Sequence, residues 1–283
     1  MSAFAPLRSS LDLLQTAHQA GCAVAALNFY NAETLRAHVE AARAEQAPLI
    51  LQTTESTIRY LGLPLIVAMA RAAAFELPTP VALHLDHGAS LSLAYGAILA
   101  GYSSVMIDGS ALPFDENCEL VRRVVELAHP AGVSVEAELG HVGEAASDDA
   151  NACYTQPEAA KLFVQRTGVD ALAVAIGTAH GFYRGEVRLD FERLCAIRDA
   201  IPHTPLVLHG GSGVPGALVQ RAIACGISKL NIGTEIKDTF TAHVKGALDS
   251  SDDIDLRRTF SPAIGAVRDL SRQKMRLCAC LPS

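Results

Sequence analysis

The 283-residue sequence predicts an α/β fold, a closed (β/α)8 or TIM barrel with a helical C-terminal extension. Three observations carry that expectation. Short runs rich in Val, Ile, Leu and Ala alternate with longer amphipathic stretches, the rhythm of repeated βα units. There are eight such runs, and near-continuous apolar strands belong to a sheet covered by helices on its outer face and filled within. Each run ends in polar or ionisable residues, which barrel closure would gather on one rim, where active sites of this fold are built.

Taken in order, "CAVAALNF" (22–29) ends near Asn28, and "PLILQTT" (48–54) ends in Gln52 and Thr54. In "VALHLDH" (81–87) strand alternation puts Ala82, His84 and Asp86 on one face and Val81, Leu83 and Leu85 on the other. His87 falls where the chain leaves that strand. "SVMIDG" (104–109) carries Asp108, "SVEAELG" (134–140) carries Glu138, and "ALAVAIG" (171–177) is followed by His180. "PLVLHGGS" (205–212) ends in His209 through Ser212, and "SKLNIGT" (228–234) in Asn231 through Thr234. Between them lie helical candidates such as "AETLRAHVEAARAEQ", "ENCELVRRVVELAH", "QPEAAKLFVQRTG" and "DFERLCAIRDA", with caps or Pro at their starts and Gly near their ends. Helical sequence after Ile236, and again from Pro262 to Met275, forms the extension over 236–283. No Pro/Gly/Ser-rich linker, low-complexity tract or charge block divides the chain, so residues 1–283 read as one domain.

Half of the residues are hydrophobic, enough for a sizeable core, and the formal net charge is −7. That charge, with no run of Lys and Arg, argues against a polyanion-binding surface, so no nucleic-acid partner is expected. The opening "MSAFAPLRSS" has no apolar leader region, and no stretch approaches the roughly 20 apolar residues of a bilayer span. A cytoplasmic protein with no membrane partner is the expectation. Seven cysteines stand singly apart from Cys278 and Cys280, and reduced thiols are expected.

The chemistry concentrates in three histidines of the rim. His87, His180 and His209 are far apart in sequence, but a barrel would bring them together, and three neutral imidazoles with an open position suit a catalytic Zn²⁺. A lone histidine is more often a hydrogen-bonded core or loop residue; three at one rim make that reading much harder to sustain. His18, His38, His129, His141, His203 and His243 lie in helices or loops and receive no role, while His84 is read as orienting its neighbours. Asp108 and Glu138 are inward carboxylates on adjacent strands. They are either a second cation site with alternative ligands or half of a salt bridge at the barrel mouth with Lys229.

Two turns carry the signature of an anion cradle. "HGGSGV" places Gly210, Gly211, Ser212 and Gly213 ahead of a helix that Pro215 could start, so that backbone N–H groups, a hydroxyl and a helix N-terminus all face one point. Glycine-rich βα turns are common, and this one alone would be weak. "NIGTE" repeats the arrangement with Gly233 and Thr234, and the loops after strands seven and eight are where such barrels hold phosphate. Gly181 stands beside His180, while Asn28 and Thr54 complete the set of substrate-binding candidates. A phosphate held next to a metal describes a small phosphorylated substrate.

Through "LHLDHG", "MIDGS", "VEAELG", "AVAIGTAHG", "LVLHGGSG" and "LNIGTE", in that order, the chain resembles the class II, metal-dependent ketose-bisphosphate aldolases over almost its whole length. The resemblance implies Zn²⁺ on His87, His180 and His209, and Asp86 as the acid/base that handles the hydroxyl proton at the cleaved bond. It implies Gly181, Gly211, Ser212, Gly233 and Thr234 around the phosphate of dihydroxyacetone phosphate, Asn231 steadying the enediolate, and Asp108 with Glu138 in a second-cation region. It also implies a homodimer or homotetramer, and leaves room for a second divalent or a monovalent cation. The family's mobile loop after strand five carries a second acid/base; here "GHVGEAASDDANACY" (140–154) departs from the family pattern and offers Glu144, Asp148 and Asp149, of which Glu144 is the favoured candidate, although a solvated loop carboxylate explains it equally well. Fructose-bisphosphate members typically carry Asp at the position of Gly233 and Arg at that of Lys237, so "NIGTEIK" is closer to the tagatose-bisphosphate form. Lys237, Arg184, Arg257 and Arg258 are candidates for a distal phosphate, although exposed helix-face charge explains each equally simply.

Three alternatives stay open on the sequence. A Schiff-base aldolase needs a lysine at a strand end, and Lys229 is the one that is placed for it. A metal-dependent sugar-phosphate isomerase or epimerase would use the same residues, and a non-catalytic sugar-phosphate binder would keep the pocket without the loop base.

Overall fold

The computed structural model describes residues 6–142, 154–183 and 185–278. Eight parallel strands close into a barrel in sequence order, β1 (Val24–Asn28), β2 (Leu49–Thr54), β3 (Val81–Gly88), β4 (Ser104–Ile107), β5 (Ser134–Leu139), β6 (Ala171–Val174), β7 (Leu206–Leu208) and β8 (Ile227–Ile232), with β8 pairing back onto β1. The expected (β/α)8 barrel is therefore the fold. Outward side chains such as Leu27, Leu51, Leu83, Val105, Val135, Leu172 and Leu208 join one continuous core with the surrounding helices. That is why the strands read as apolar in sequence.

The inward face is divided. Its lower part holds Val24, Ala26, Ile50, Ala82, Ala171, Ala173 and Val207, small enough to leave room for Leu13, Leu14 and Ala17. These belong to α1 (Ser10–Ala20), which plugs the barrel floor, a helix the βα rhythm does not announce because it precedes the first strand. Ser9 accepts from the Leu11 N–H at its start and Gly21 closes it in the left-handed region, at φ 66°.

The helices follow as expected, with local differences. α2 (Ala32–Glu45) opens on a capping box between Asn31 and Thr34. β2 leads directly into α3 (Glu55–Leu61) and α4 (Leu63–Glu76), followed after β3 by α5 (Leu91–Ala100). α6 (Phe114–Ala128), α7 (Pro157–Thr167), α8 (Phe191–Ala200) and α9 (Gly216–Ala224) complete the ring up to β8. The extension is α10 (Thr234–Ser250) and α11 (Leu256–Cys278). α11 begins six residues ahead of Pro262 rather than at it, and the proline, in the second turn, leaves the Arg258 carbonyl without its i→i−4 donor. It lies against α2, where Arg272 and Arg276 both pair with Glu45, at 2.6 and 2.8 Å.

Strands six and seven end sooner than their apolar runs suggest. Gly177 and Gly210 take φ of 109° and 64°, outside the ladder geometry, and turn the chain onto the rim. Cys118, Cys195, Cys225 and Cys278 are free thiols, whereas Cys22 is disulfide-bonded, against the expectation of reduced thiols throughout. Spacing along the chain does not report distance in space. Among the described residues no single helix is long and apolar enough to cross a membrane.

Candidate active site

The upper barrel interior is polar. Asn28, Gln52, Asp86, Glu136, Glu138, His209, Lys229 and Asn231 are all buried there. Alternation along β3 carries Asp86 inward as expected, but the next residue would then face outward. A register shift between Leu85 and Gly88, with His87 at φ 50°, breaks the alternation and turns the His87 imidazole to the rim. A non-glycine residue in the left-handed region is a costly conformation that clusters at functional sites. Gly88 completes the bulge, since a Cβ there would stand 2.4 Å from the Met106 carbonyl oxygen.

His87, His180 and His209 converge, each offering a ring nitrogen within 4.8 Å of the others. The bonds each ring makes elsewhere decide which nitrogen faces the centre. His87 directs Nδ1 to Asp108 Oδ2 at 2.8 Å, and His209 directs Nε2 to Glu136 Oε1 at 2.8 Å. Ionised carboxylates only accept, so both of those nitrogens carry protons, and the acceptor nitrogens, His87 Nε2 and His209 Nδ1, face one another at 2.9 Å. Two lone pairs aimed at each other are stable only with a cation between them, a proton or a metal ion. Burial pushes the His87 imidazole down, but the Asp108 hydrogen bond and the charges of Asp86, Glu138 and Asp108 outweigh it and raise its pKa to about 9. The field at this point favours positive charge, and the donor set fits Zn²⁺.

His87, Asp108 and Glu138 form a second group with ligand atoms within 4.8 Å of one another. Asp108 Oδ1 accepts from the Ser110 N–H at 3.0 Å, and despite burial the bonds to His87 and Ser110 hold its carboxyl well below the usual range. Burial, reinforced by Asp108, lifts Glu138 to about 7; its Oε1 accepts from the Val142 N–H at 3.0 Å while Oε2 is buried without a hydrogen-bond partner. An orphaned carboxylate oxygen beside two potential ligands suits a second position for a cation. The salt bridge considered for Asp108 and Glu138 is not formed with Lys229, which pairs instead with Glu136 at 2.7 Å. Register explains this: Glu136 is one inward step below Glu138 and faces the deeper lysine across the barrel.

Asp86 is held by amides. Asn28 Nδ2 donates to Oδ2 at 3.1 Å, Gln52 Nε2 to the same oxygen at 3.4 Å, and Asn231 Nδ2 to Oδ1 at 3.2 Å. Burial opposes ionisation, but the charges of His87, His209 and Lys229 and the Asn28 bond lower its pKa, so it stands as a base. Gln52 also fixes Asn28 through its Oδ1 at 2.8 Å. Strand periodicity placed Gln52 at a polar tip; its part in holding Asp86 emerges only from the barrel closure of β1, β2 and β3.

Above these groups opens a cleft lined by Asn28, Thr54, Gly181, Gly210, Ser212, Gly233 and Thr234 together with the histidines. Tyr30 and Lys237 also line it, the ammonium 5.9 Å above the Tyr30 ring. At Gly210 no larger residue fits: it takes a φ of 64°, and a Cβ would be 2.4 Å from the Ala179 carbonyl oxygen. Tyr183 clamps the same two loops, its hydroxyl accepting from the Ala179 N–H and donating to the Gly210 carbonyl, both at 2.9 Å. Ser212 Oγ accepts from the Glu235 N–H at 3.3 Å in the first turn of α10, whose N-cap, Gly233, has no side chain to close it and whose start lines the cleft through Gly233 and Thr234. Gly211 is placed behind this cradle; its N–H donates to the Asn231 carbonyl at 3.2 Å. Glu144 and Arg184 lie outside the described residues. Arg257 and Arg258 pair with Asp255 and Asp253, at 2.9 Å each. Lys229, fully buried and engaged with Glu136, does not line the cleft, which removes the lysine on which the Schiff-base reading relied.

A histidine cluster able to hold a cation beside a glycine-lined cleft, on the rim where (β/α)8 barrels build their active sites, is the site of a barrel enzyme. The sequence matches the fructose-bisphosphate aldolase class-II family over residues 8–281, and the chain belongs to that family of carbon–carbon lyases. It is similar to the YdjI aldolase of Escherichia coli K12, with 34% identity over 97% of this chain and 98% of that one and a TM-score of 0.86. A putative fructose-1,6-bisphosphate aldolase from Coccidioides immitis is 27% identical over 97% of each chain, with a TM-score of 0.88. Fructose-bisphosphate aldolase from Campylobacter jejuni, 24% identical over 99% of this chain and 97% of that one at a TM-score of 0.84, shares the fold.

Proposed function

We propose that this aldolase is Zn²⁺-dependent and reversibly cleaves a phosphorylated ketose of the tagatose or fructose 1,6-bisphosphate type to dihydroxyacetone phosphate and an aldehyde. The observation that carries this is the pair of imidazoles whose outer nitrogens are committed to carboxylates and whose inner nitrogens meet beside Asp86. The substrate phosphate rests on Gly181, Gly210, Ser212, Gly233 and Thr234 at the α10 N-terminus. Asp86 takes the proton from the hydroxyl at the breaking bond, and the carbon–carbon electron pair moves into the ketone half. His87, His180 and His209 would hold a divalent ion, which when bound would supply Lewis-acid stabilisation of that electron pair. Asn231, bonded to Asp86 and buried, positions the reacting oxygens, and Glu144, chosen among the acids of the loop after β5, returns a proton to the ketone-side carbon. Asp108 and Glu138 serve a second cation.

Gly233 supports the tagatose-type reading. It lacks the carboxylate that fructose-type members typically carry there, and the ends of Asn28 and Tyr30 stand over it instead, 2.8 and 3.3 Å from where a Cβ would lie. The protein is proposed to act as a single-domain cytoplasmic homodimer or homotetramer. The test is to incubate metal-replete enzyme with dihydroxyacetone phosphate and a panel of aldehydes and to identify the ketoses. Condensation that is lost with chelator and restored by Zn²⁺ is expected. Interconversion of ketoses without trioses would mean an isomerase, and no turnover with retained phosphate binding would mean a binding protein.

A further inference from the structure

Beneath the histidine cluster lies a buried polar column that the reaction does not use. His209 Nε2 meets Glu136 Oε1 at 2.8 Å, Glu136 Oε2 accepts from Lys229 Nζ at 2.7 Å, and Lys229 Nζ reaches His84 Nε2 at 3.2 Å. His84 Nδ1 continues to Ser104 Oγ at 2.7 Å, and Ser104 to Ser10 of α1, also at 2.7 Å. All of these side chains are buried, and none but His209 lines the cleft.

The donors and acceptors along this column have one consistent assignment. Lys229 can only donate, so it takes one carboxylate oxygen of Glu136 and the lone pair of His84 Nε2. His84 therefore carries its proton on Nδ1 and donates to Ser104. The other Glu136 oxygen is left to accept from His209 Nε2–H, which frees Nδ1 as a donor to a metal. Asn231 Nδ2 also lies 3.2 Å from His209 Nε2, but Asp86 is its acceptor.

We propose that Glu136, oriented by Lys229, is the positioning residue that fixes His209 in the tautomer able to bind the metal through Nδ1. The inference rests on His209 being a ligand. It also says why an acid and a lysine are buried under the site at all, since a buried ion pair is poor evidence of stabilisation by itself.

The test is the Zn²⁺ affinity of the metal-free full chain, by competition with a chromophoric chelator, alongside ¹⁵N NMR of the His209 ring. In Glu136→Gln the side-chain oxygen must still face Lys229, so the amide NH₂ is turned on His209 Nε2 and drives the ring proton to Nδ1. Zn²⁺ binding should weaken by about 10- to 100-fold, with the tautomer visibly exchanged. Adding Lys229→Met frees the introduced amide to present its oxygen to His209, and the double variant should recover most of the affinity. A purely structural role predicts no such rescue. Unchanged affinity in Glu136→Gln, or a double variant as weak as the single one, would overturn the proposal. If Glu136→Gln does not fold, the double variant alone decides: with its amide oxygen free to accept from His209, it must bind Zn²⁺ within about tenfold of wild type. His209→Ala separates the two levels: if it binds Zn²⁺ as wild type does, the ligand assignment fails, and if only Glu136→Gln is silent, the positioning role fails alone.

Discussion

The lower and upper halves of the barrel interior come from the same strands, yet they obey different constraints. Below, Val24, Ala26, Ile50, Ala82, Ala171, Ala173 and Val207 pack on Leu13, Leu14 and Ala17, and shape alone decides what fits. Above, Asp86, Glu136, His209, Lys229 and Asn231 are equally buried, and each must find a partner of the right polarity. The lower half tolerates exchange of one apolar group for another of like volume. The upper half does not tolerate even an isosteric change that converts an acceptor into a donor, because an unmet buried polar group costs about 1–3 kcal/mol. The fold is secured below so that the chemistry can be held above.

Substitutions should separate the halves. The largest effect is expected above: Asp86→Asn should lower the turnover of ketose cleavage by about 10²–10⁴-fold and, because its amide NH₂ must face a donor from Asn28, Gln52 or Asn231, cost about 1–3 kcal/mol of stability. Activity within a few fold of wild type in a triose-release assay would remove Asp86 from the reaction. Below, Leu14→Ala should cost about 3 kcal/mol in urea unfolding and leave turnover of the folded fraction intact. A change in turnover instead would mean that the floor is coupled to the site.

His38 tests the join between barrel and extension. It is buried in α2 between the Asn28 carbonyl, 3.1 Å from Nε2, and Ser271 of α11, 2.9 Å from Nδ1. Burial lowers its pKa from 6.5 to about 4, the Asn28 bond opposing. The unfolded chain therefore binds the proton more readily, and stability should fall as pH drops from about 6.5 towards 4, by up to about 3 kcal/mol. In His38→Gln that part of the pH slope should vanish, as urea titrations across the range will show.

The smallest effect belongs to the outer ring. Bonding to Arg276 and Arg272 lowers the Glu45 pKa, so its contribution is present above the ordinary carboxylate range and lost as pH falls through the folded value. Glu45→Ala should cost about 1 kcal/mol at neutral pH, less in high salt, and nothing in strong acid. Thermal unfolding at three pH values measures it.

Much of this was legible along the chain. Alternation in "VALHLDHG" put Asp86 inside, and repetition of polar strand tips located the rim before any contact was known. The alternation that points Glu138 inward points Glu136 inward too, but a mid-strand acid carries no sign of its depth or its partners along the chain. Gly211 shares a motif with Gly210, and local sequence could not tell the residue facing the cleft from the one packed on β8. Strand position alone puts Lys229 near the barrel mouth; its depth and its partner Glu136 depend on the stagger of β5 against β8.

By itself the sequence determined the periodicities, and with them the strands, the inward and outward faces, and the end of the barrel that carries polar groups. Those are set within a few residues by the geometry of an extended backbone. Only the tertiary structure decided which nitrogen of each histidine faces the centre, how His87 reaches it past the bulge in β3, and which acid takes the lysine. These depend on contacts between strands far apart in the chain, where a hydrogen bond made or missed turns on a few tenths of an ångström.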